Sequence, residues 1–125
     1  MPRKRVLVID DEPLILDVVC KFLQRSGYET DTATNGKEGL ARFRETPADL
    51  VITDLTMPEL DGMQTVKYLL EEFPDARVIT MSGGGDRFPE SCLRESVELG
   101  AAGSLKKPIR GKDLVLEVQR IIGAA

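Results

Sequence analysis

A chain of 125 residues falls within the range of a single domain with one hydrophobic core, and 42% hydrophobic with 30% charged residues is too apolar for a disordered chain. The formal charge of −4, with Lys and Arg scattered rather than gathered into a stripe, argues against a phosphate-backbone footprint and so against direct nucleic acid binding. Histidine is absent, which excludes Ser-His and Cys-His triads and removes the commonest zinc ligand, so any chemistry must rest on carboxylates, hydroxyls, lysine and a metal.

The basic start, Met1 to Arg5, leads into the apolar run Val6–Ile9. That run stops at Asp10-Asp11-Glu12, too soon for an export signal, and no apolar stretch approaches the roughly 20 residues that insert into a membrane. A cytoplasmic location is the expectation. Val6–Ile9 reads as a buried strand. Glu12 to Ser26 follows as a helix, with Leu14, Ile15, Val18, Val19, Phe22 and Leu23 at helical spacing and Gly27 as its stop. A weaker strand spans Tyr28 to Ala33. Asn35 can cap a second helix through Arg44, ended by Thr46-Pro47.

Leu50–Thr53 is the next continuous apolar strand, and Met63 to Phe73 the third helix, with Val66, Leu69 and Leu70 on one face. Val78–Met81 is a strand of the same kind. Pro89 to Leu99 reads as a fourth helix stopped by Gly100, Gly103 to Lys106 as a short fifth strand, and Lys112 to Ile122 as a last helix. Its inward stripe would be Leu114, Val115, Val118, Ile121 and Ile122. Cys20 and Cys92 fall inside helical patterns and read as small buried hydrophobes rather than as a disulfide or a metal pair.

Strands that are apolar at every position are covered on both faces, as in parallel sheets, and five alternations of strand and helix imply right-handed crossovers in a doubly wound α/β domain spanning residues 1–125. In such sheets the functional groups collect beyond the carboxyl ends of the strands. There stand Asp10-Asp11 after the first strand, Asp54 after the third, Ser82 after the fourth and Lys107-Pro108 after the fifth. Three carboxylates in one pocket repel, each pair by about 3 kcal/mol at about 5 Å with an effective dielectric of about 20. Oxygen ligands without His or thiolate call for a hard cation, and Mg²⁺, with Mn²⁺ able to substitute, suits a site with few protein ligands. A metal and an ammonium beside a carboxylate also suit phosphoryl transfer, with Asp54 as nucleophile and Lys107 and Ser82 partnering phosphoryl oxygens.

Simpler readings stand beside these. Asp10 and Asp11 could cap the first helix, Asp54 could be a loop acid, Ser82 a turn hydroxyl and Asp61-Gly62 a turn. Glu12 fits the helix end better than a metal. Lys106 competes with Lys107, but neighbouring strand residues face opposite ways, so one of the two reaches the pocket, and the place before Pro108 favours Lys107.

Asp10-Asp11, the run Asp54-Leu-Thr-Met57-Pro58 with Asp61-Gly62, Ser82-Gly83 and Lys107-Pro108 together resemble the receiver domains of two-component response regulators, in order and over almost the whole chain. The resemblance implies a flavodoxin-like sandwich with five parallel strands in the order 2-1-3-4-5. It implies a switch in which Asp54 accepts a phosphoryl group from a histidine kinase or histidine phosphotransfer protein, the receiver supplying the catalytic groups and passing the change to a partner protein. It also implies that Asp11 and Asp54 ligate Mg²⁺ directly, Asp10 partly through water and Thr56 through its backbone carbonyl, and that the Lys107-Pro108 bond is cis.

Two features depart from the pattern. Ser104 stands where such receivers carry an aromatic that turns inward behind the switch hydroxyl, and a triple glycine, Gly83 to Gly85, follows Ser82. The rival reading is a phosphatase of the haloacid-dehalogenase type, which needs a second acid two residues after its aspartyl nucleophile. Thr56 holds that place after Asp54, and Glu12 holds it after Asp10.

Overall fold

The computed structural model describes residues 3–55, 62–82 and 99–124. Five strands, β1 (Arg5–Ile9), β2 (Glu29–Ala33), β3 (Leu50–Asp54), β4 (Val78–Ser82) and β5 (Gly103–Lys106), form one parallel sheet in the order β2-β1-β3-β4-β5. Four described helices complete it: α1 (Pro13–Arg25), α2 (Gly36–Glu45), α3 (Gly62–Glu72) and α4 (Gly111–Ile122). All five expected strands are present and the order is 2-1-3-4-5. The expected helix from Pro89 lies outside the described residues, apart from Leu99, which enters a turn through Gly100 at φ +115°. No described helix is long and apolar enough to cross a membrane.

The largely apolar runs of β1, β3 and β4 are explained by a core on each face of the sheet. On one face Val6, Val8, Ile52 and Met81 meet α1 and α4; on the other Leu7, Ile9, Val51 and Val78 meet α2 and α3. Phe43 of α2 and Phe73 seal the second face edge to face, with ring centroids 4.8 Å apart. The C-terminal end of α4 is tied to residues at the amino ends of β2 and β4, where Tyr28 donates its hydroxyl to the Gly123 carbonyl at 2.6 Å and Arg77 donates to the Ile121 carbonyl at 2.9 Å.

The inward face of α1 differs from expectation. Leu16, Val19, Cys20 and Leu23 are buried, whereas Leu14 is 78% exposed and Val18 41%. Apolar residues occupy nearly every position from Leu14 to Cys20, so spacing alone leaves the helix phase open, and the sheet selects the i, i+3, i+4, i+7 set that can all reach it. Cys20 is a buried free thiol, as expected; Cys92 lies outside the described residues.

The second helix starts as its sequence suggests. Asn35 is extended and its side chain accepts the Glu38 N–H at 2.8 Å, while Glu38 reaches back to the Thr34 hydroxyl at 3.0 Å. An Asn35→Ala chain is expected to lose about 1 kcal/mol of unfolding free energy, read as a lower urea midpoint at unchanged slope.

Candidate functional site

The order of strands reverses at β1, because the chain passes from β1 outward to β2 and then crosses back to β3. That reversal sends α1 and α2 to opposite faces and leaves a crevice beyond the carboxyl ends of β1 and β3. Ile9 pairs with Thr53, so Asp10 and Asp54 follow at the same level on neighbouring strands. Farther along the same edge, Ser82 ends β4 opposite Lys106 of β5, and the Lys107 N–H donates to the Ser82 carbonyl at 2.8 Å.

Burial separates the acids. Asp10 has no exposed surface and Asp54 is 3% exposed, whereas Asp11 and Glu12 are exposed. The Lys107 ammonium reaches in and lies 2.9 Å from Asp10 Oδ2, 3.5 Å from Asp54 Oδ2 and 4.0 Å from Glu12 Oε1. The bond before Pro108 is cis, and Lys107 reaches the acids while Lys106 is exposed. Burial weighs most on the Asp10 carboxyl and holds it above its ordinary value, against hydrogen bonds from the Glu12 N–H at 2.9 Å and from Lys107. Burial also pulls on the Lys107 ammonium, but the Asp10 hydrogen bond and the charges of Asp54, Asp10 and Glu12 outweigh it and leave the amine raised. At neutral pH Lys107 is therefore a cation among acids.

Asp10, Asp11 and Glu12 offer carboxylate oxygens that all lie within 4.8 Å of one another. With no imidazole anywhere in the chain, this all-oxygen donor set suits a hard cation such as Mg²⁺. Asp54 is linked to the group through Lys107. Glu12 stands at the start of α1, where its place in the sequence puts it. Its backbone does open α1, but its side chain makes no capping hydrogen bond and stands with the acids instead. A third consecutive acid was the available signal, and the side-chain directions of three successive residues at a strand end cannot be read from spacing.

Thr56, Met57-Pro58, Asp61 and the triple glycine lie outside the described residues. Ser82 is buried at 3% exposure, at the end of β4. Ser104 sits half-buried on β5, in register with the fully buried Thr80.

A family model of the response regulator receiver domain matches residues 6–119. The chemotaxis protein CheY of Thermotoga maritima is 29% identical over 119 residues, covering 94% of this chain and 97% of that protein. The two-component response regulator ARR11 of Arabidopsis thaliana is 37% identical over 120 residues, but those are 94% of this chain and only 22% of that longer protein. Among solved structures, a response regulator receiver domain protein from Clostridium thermocellum superposes with a TM-score of 0.87 at 35% identity, covering 95% of this chain and 94% of that one.

Proposed function

Because the chain belongs to the response regulator receiver domain family, whose members are phosphoacceptor modules of two-component signalling, we propose that Asp54 takes the phosphoryl group and that this chain supplies the groups that catalyse the transfer. The observation that carries the reading is the Lys107 ammonium held between two buried acids, 2.9 Å from Asp10 and 3.5 Å from Asp54.

In this reading an Asp54 carboxylate oxygen attacks the phosphorus of a phosphohistidine on a histidine kinase or phosphotransfer protein. The new O–P bond forms as the donor's N–P bond breaks, and the electron pair returns to the donor imidazole, which takes up a proton. Lys107 orients the attacking carboxylate beforehand and pairs with a phosphoryl oxygen afterwards, while the Ser82 hydroxyl donates to another. Asp10, Asp11 and Asp54, with the Thr56 carbonyl, would hold Mg²⁺, which supplies positive charge to the phosphoryl oxygens. Asp10 has a further task, since its second oxygen fixes the Glu12 N–H and with it the turn into α1. Loss of the phosphoryl group is the attack of water on the same phosphorus, which frees the Asp54 carboxylate. The proteins that deliver the phosphate and read the switch are partners of this same strand edge and of the surfaces around it.

Incubation of the chain with acetyl phosphate and Mg²⁺ is expected to add one phosphoryl group by intact mass, to add none in the presence of a chelator, and to give a hydroxylamine-sensitive product, as an acyl phosphate requires. Sustained turnover of p-nitrophenyl phosphate would instead support a phosphatase. Mg²⁺ should also raise the unfolding midpoint, by the linkage that gives about 2.7 kcal/mol at about a hundredfold excess over the dissociation constant.

A further inference from the structure

Two helices on the same face of the sheet press glycines against the two strands that carry the buried acids, and the two contacts differ in kind. At position 39 in α2, a Cβ would overlap Ile9 Cδ1 and stand 2.9 Å from Ile9 Cγ1, which is the far part of a side chain that can turn away. At position 62, the first residue of α3, a Cβ would overlap the Asp54 carbonyl oxygen and the Leu55 Cα and stand 2.7 Å from the Asp54 carbonyl carbon. Those atoms are main chain and have no rotamer to change.

The φ angle is not what requires glycine at 62. Among the described residues the glycines with positive φ are Gly27, Gly100 and Gly123. Alanine is also the better helix former, so a glycine opening α3 weakens the helix locally. What remains is space: without a side chain, the first turn of α3 lies directly on the peptide after the acceptor, and the Gly62 N–H donates to the Leu55 carbonyl at 3.2 Å.

A side chain there has few ways out. α3 is held down by Thr65, Val66 and Leu69, all buried on the sheet, so the helix cannot step back without opening that core. β3 is central, paired with β1 through Thr53 and with β4 through Asp54, and the Leu55 N–H donates to the Met81 carbonyl at 2.9 Å. The displacement therefore falls on the Asp54–Leu55 peptide, beside the Cα that carries the carboxylate, and on that peptide's hydrogen bond to β4. We propose that Gly62 is a positioning residue: its lack of a side chain lets α3 fix the height of the Asp54 carboxylate against Lys107 and the acids that follow β1. This rests on the reading of Asp54 as acceptor, and a shift of about 1 Å at such a centre costs on the order of a hundredfold in rate.

The test compares Gly62→Ala with Gly39→Ala, two helix glycines on one face. Each chain is assayed in trimethylamine N-oxide, which keeps a destabilised chain folded, with far-UV circular dichroism as the check. Mn²⁺ affinity is read by electron paramagnetic resonance, and the rate of phosphorylation by acetyl phosphate is measured at saturating metal. Gly62→Ala is expected to be folded, to bind Mn²⁺ at least fivefold more weakly and to be phosphorylated at least tenfold more slowly. Gly39→Ala, even if the less stable of the two, should keep both values within twofold of the parent. Parental affinity and rate in Gly62→Ala, equal losses in the two variants, or a Gly62→Ala chain that will not fold even with osmolyte would each overturn the proposal. Failure of the parent chain to bind Mn²⁺ or to take up phosphate would reject the site itself, an outcome distinct from all of these.

Discussion

An Asp54→Asn chain is expected to fold and to take up no phosphate at all. The amide is close in shape to the carboxylate, so the packing at the end of β3 is kept, but its oxygen is a poor nucleophile and the transfer has nowhere to go. The change in stability should be small in metal-free solution. The substitution removes the repulsion between Asp54 and the acids that follow β1, and with it the attraction of Asp54 for Lys107 at 3.5 Å. These are opposing Coulomb terms of similar range, and Lys107 keeps its closer partner Asp10 at 2.9 Å, so the net change should stay within about 1 kcal/mol. The stabilisation by Mg²⁺, in contrast, should shrink, because one of its proposed ligands has lost its charge. Intact mass after acetyl phosphate treatment, with urea unfolding in chelator and in Mg²⁺, reads all three quantities. A phosphoryl group found on the Asp54→Asn chain would remove Asp54 from the acceptor role and leave another carboxylate to be found.

Replacing Lys107 should cost both stability and rate. The Asp10 side chain is wholly buried and Lys107 is its cationic partner at 2.9 Å, so Lys107→Met, which keeps the length of the stem, strands a carboxylate inside the protein. Breaking one side of a buried pair in this way typically costs about 3–5 kcal/mol. Urea unfolding in chelator should show that loss, and saturating Mg²⁺ should recover part of it by supplying positive charge among the same acids. The phosphorylation rate at saturating Mg²⁺ should fall by about 10²–10³, the usual consequence of losing one preorganised donor to a developing anion. Lys106→Met is the control. Lys106 is exposed and immediately precedes Lys107 in the chain, and its loss should leave the phosphorylation rate nearly unchanged. Equal effects at the two positions would mean that Lys107 acts through general charge and not through its contacts with Asp10 and Asp54.

Much of this architecture is legible in short stretches of the chain. Val6–Ile9, Leu50–Thr53 and Val78–Met81 are apolar at every or nearly every position, which two covered faces demand, and each is found within a central strand. Asn35 announces the start of α2 through a side chain that reaches its own backbone three residues on. The convergence of Asp10, Asp54, Ser82 and Lys107 on one edge follows once each is seen to end or follow a parallel strand, because parallel strands put all their carboxyl ends on one side. These are local signals, or consequences of strand direction, and need no knowledge of what packs where.

Other features needed the assembled molecule. The apolar run from Leu14 to Cys20 fits more than one helix phase, and only the sheet beneath α1 decides that Leu16 and Cys20 go in while Leu14 and Val18 stay out. Glu12 is in sequence a helix-end acid, and it joins Asp10 and Asp11 because the turn held by the Asp10 side chain aims it there. Asp10 and Lys107 are 97 residues apart, and their contact exists because β1 and β5 belong to one sheet. The glycine at 62 looks like half of a turn until the peptide of Asp54 is seen lying against it. Periodicity and capping act over a few residues and are written in the chain, whereas helix phase, side-chain direction at a strand end and close approach between backbones depend on surfaces that meet only when distant segments have folded together.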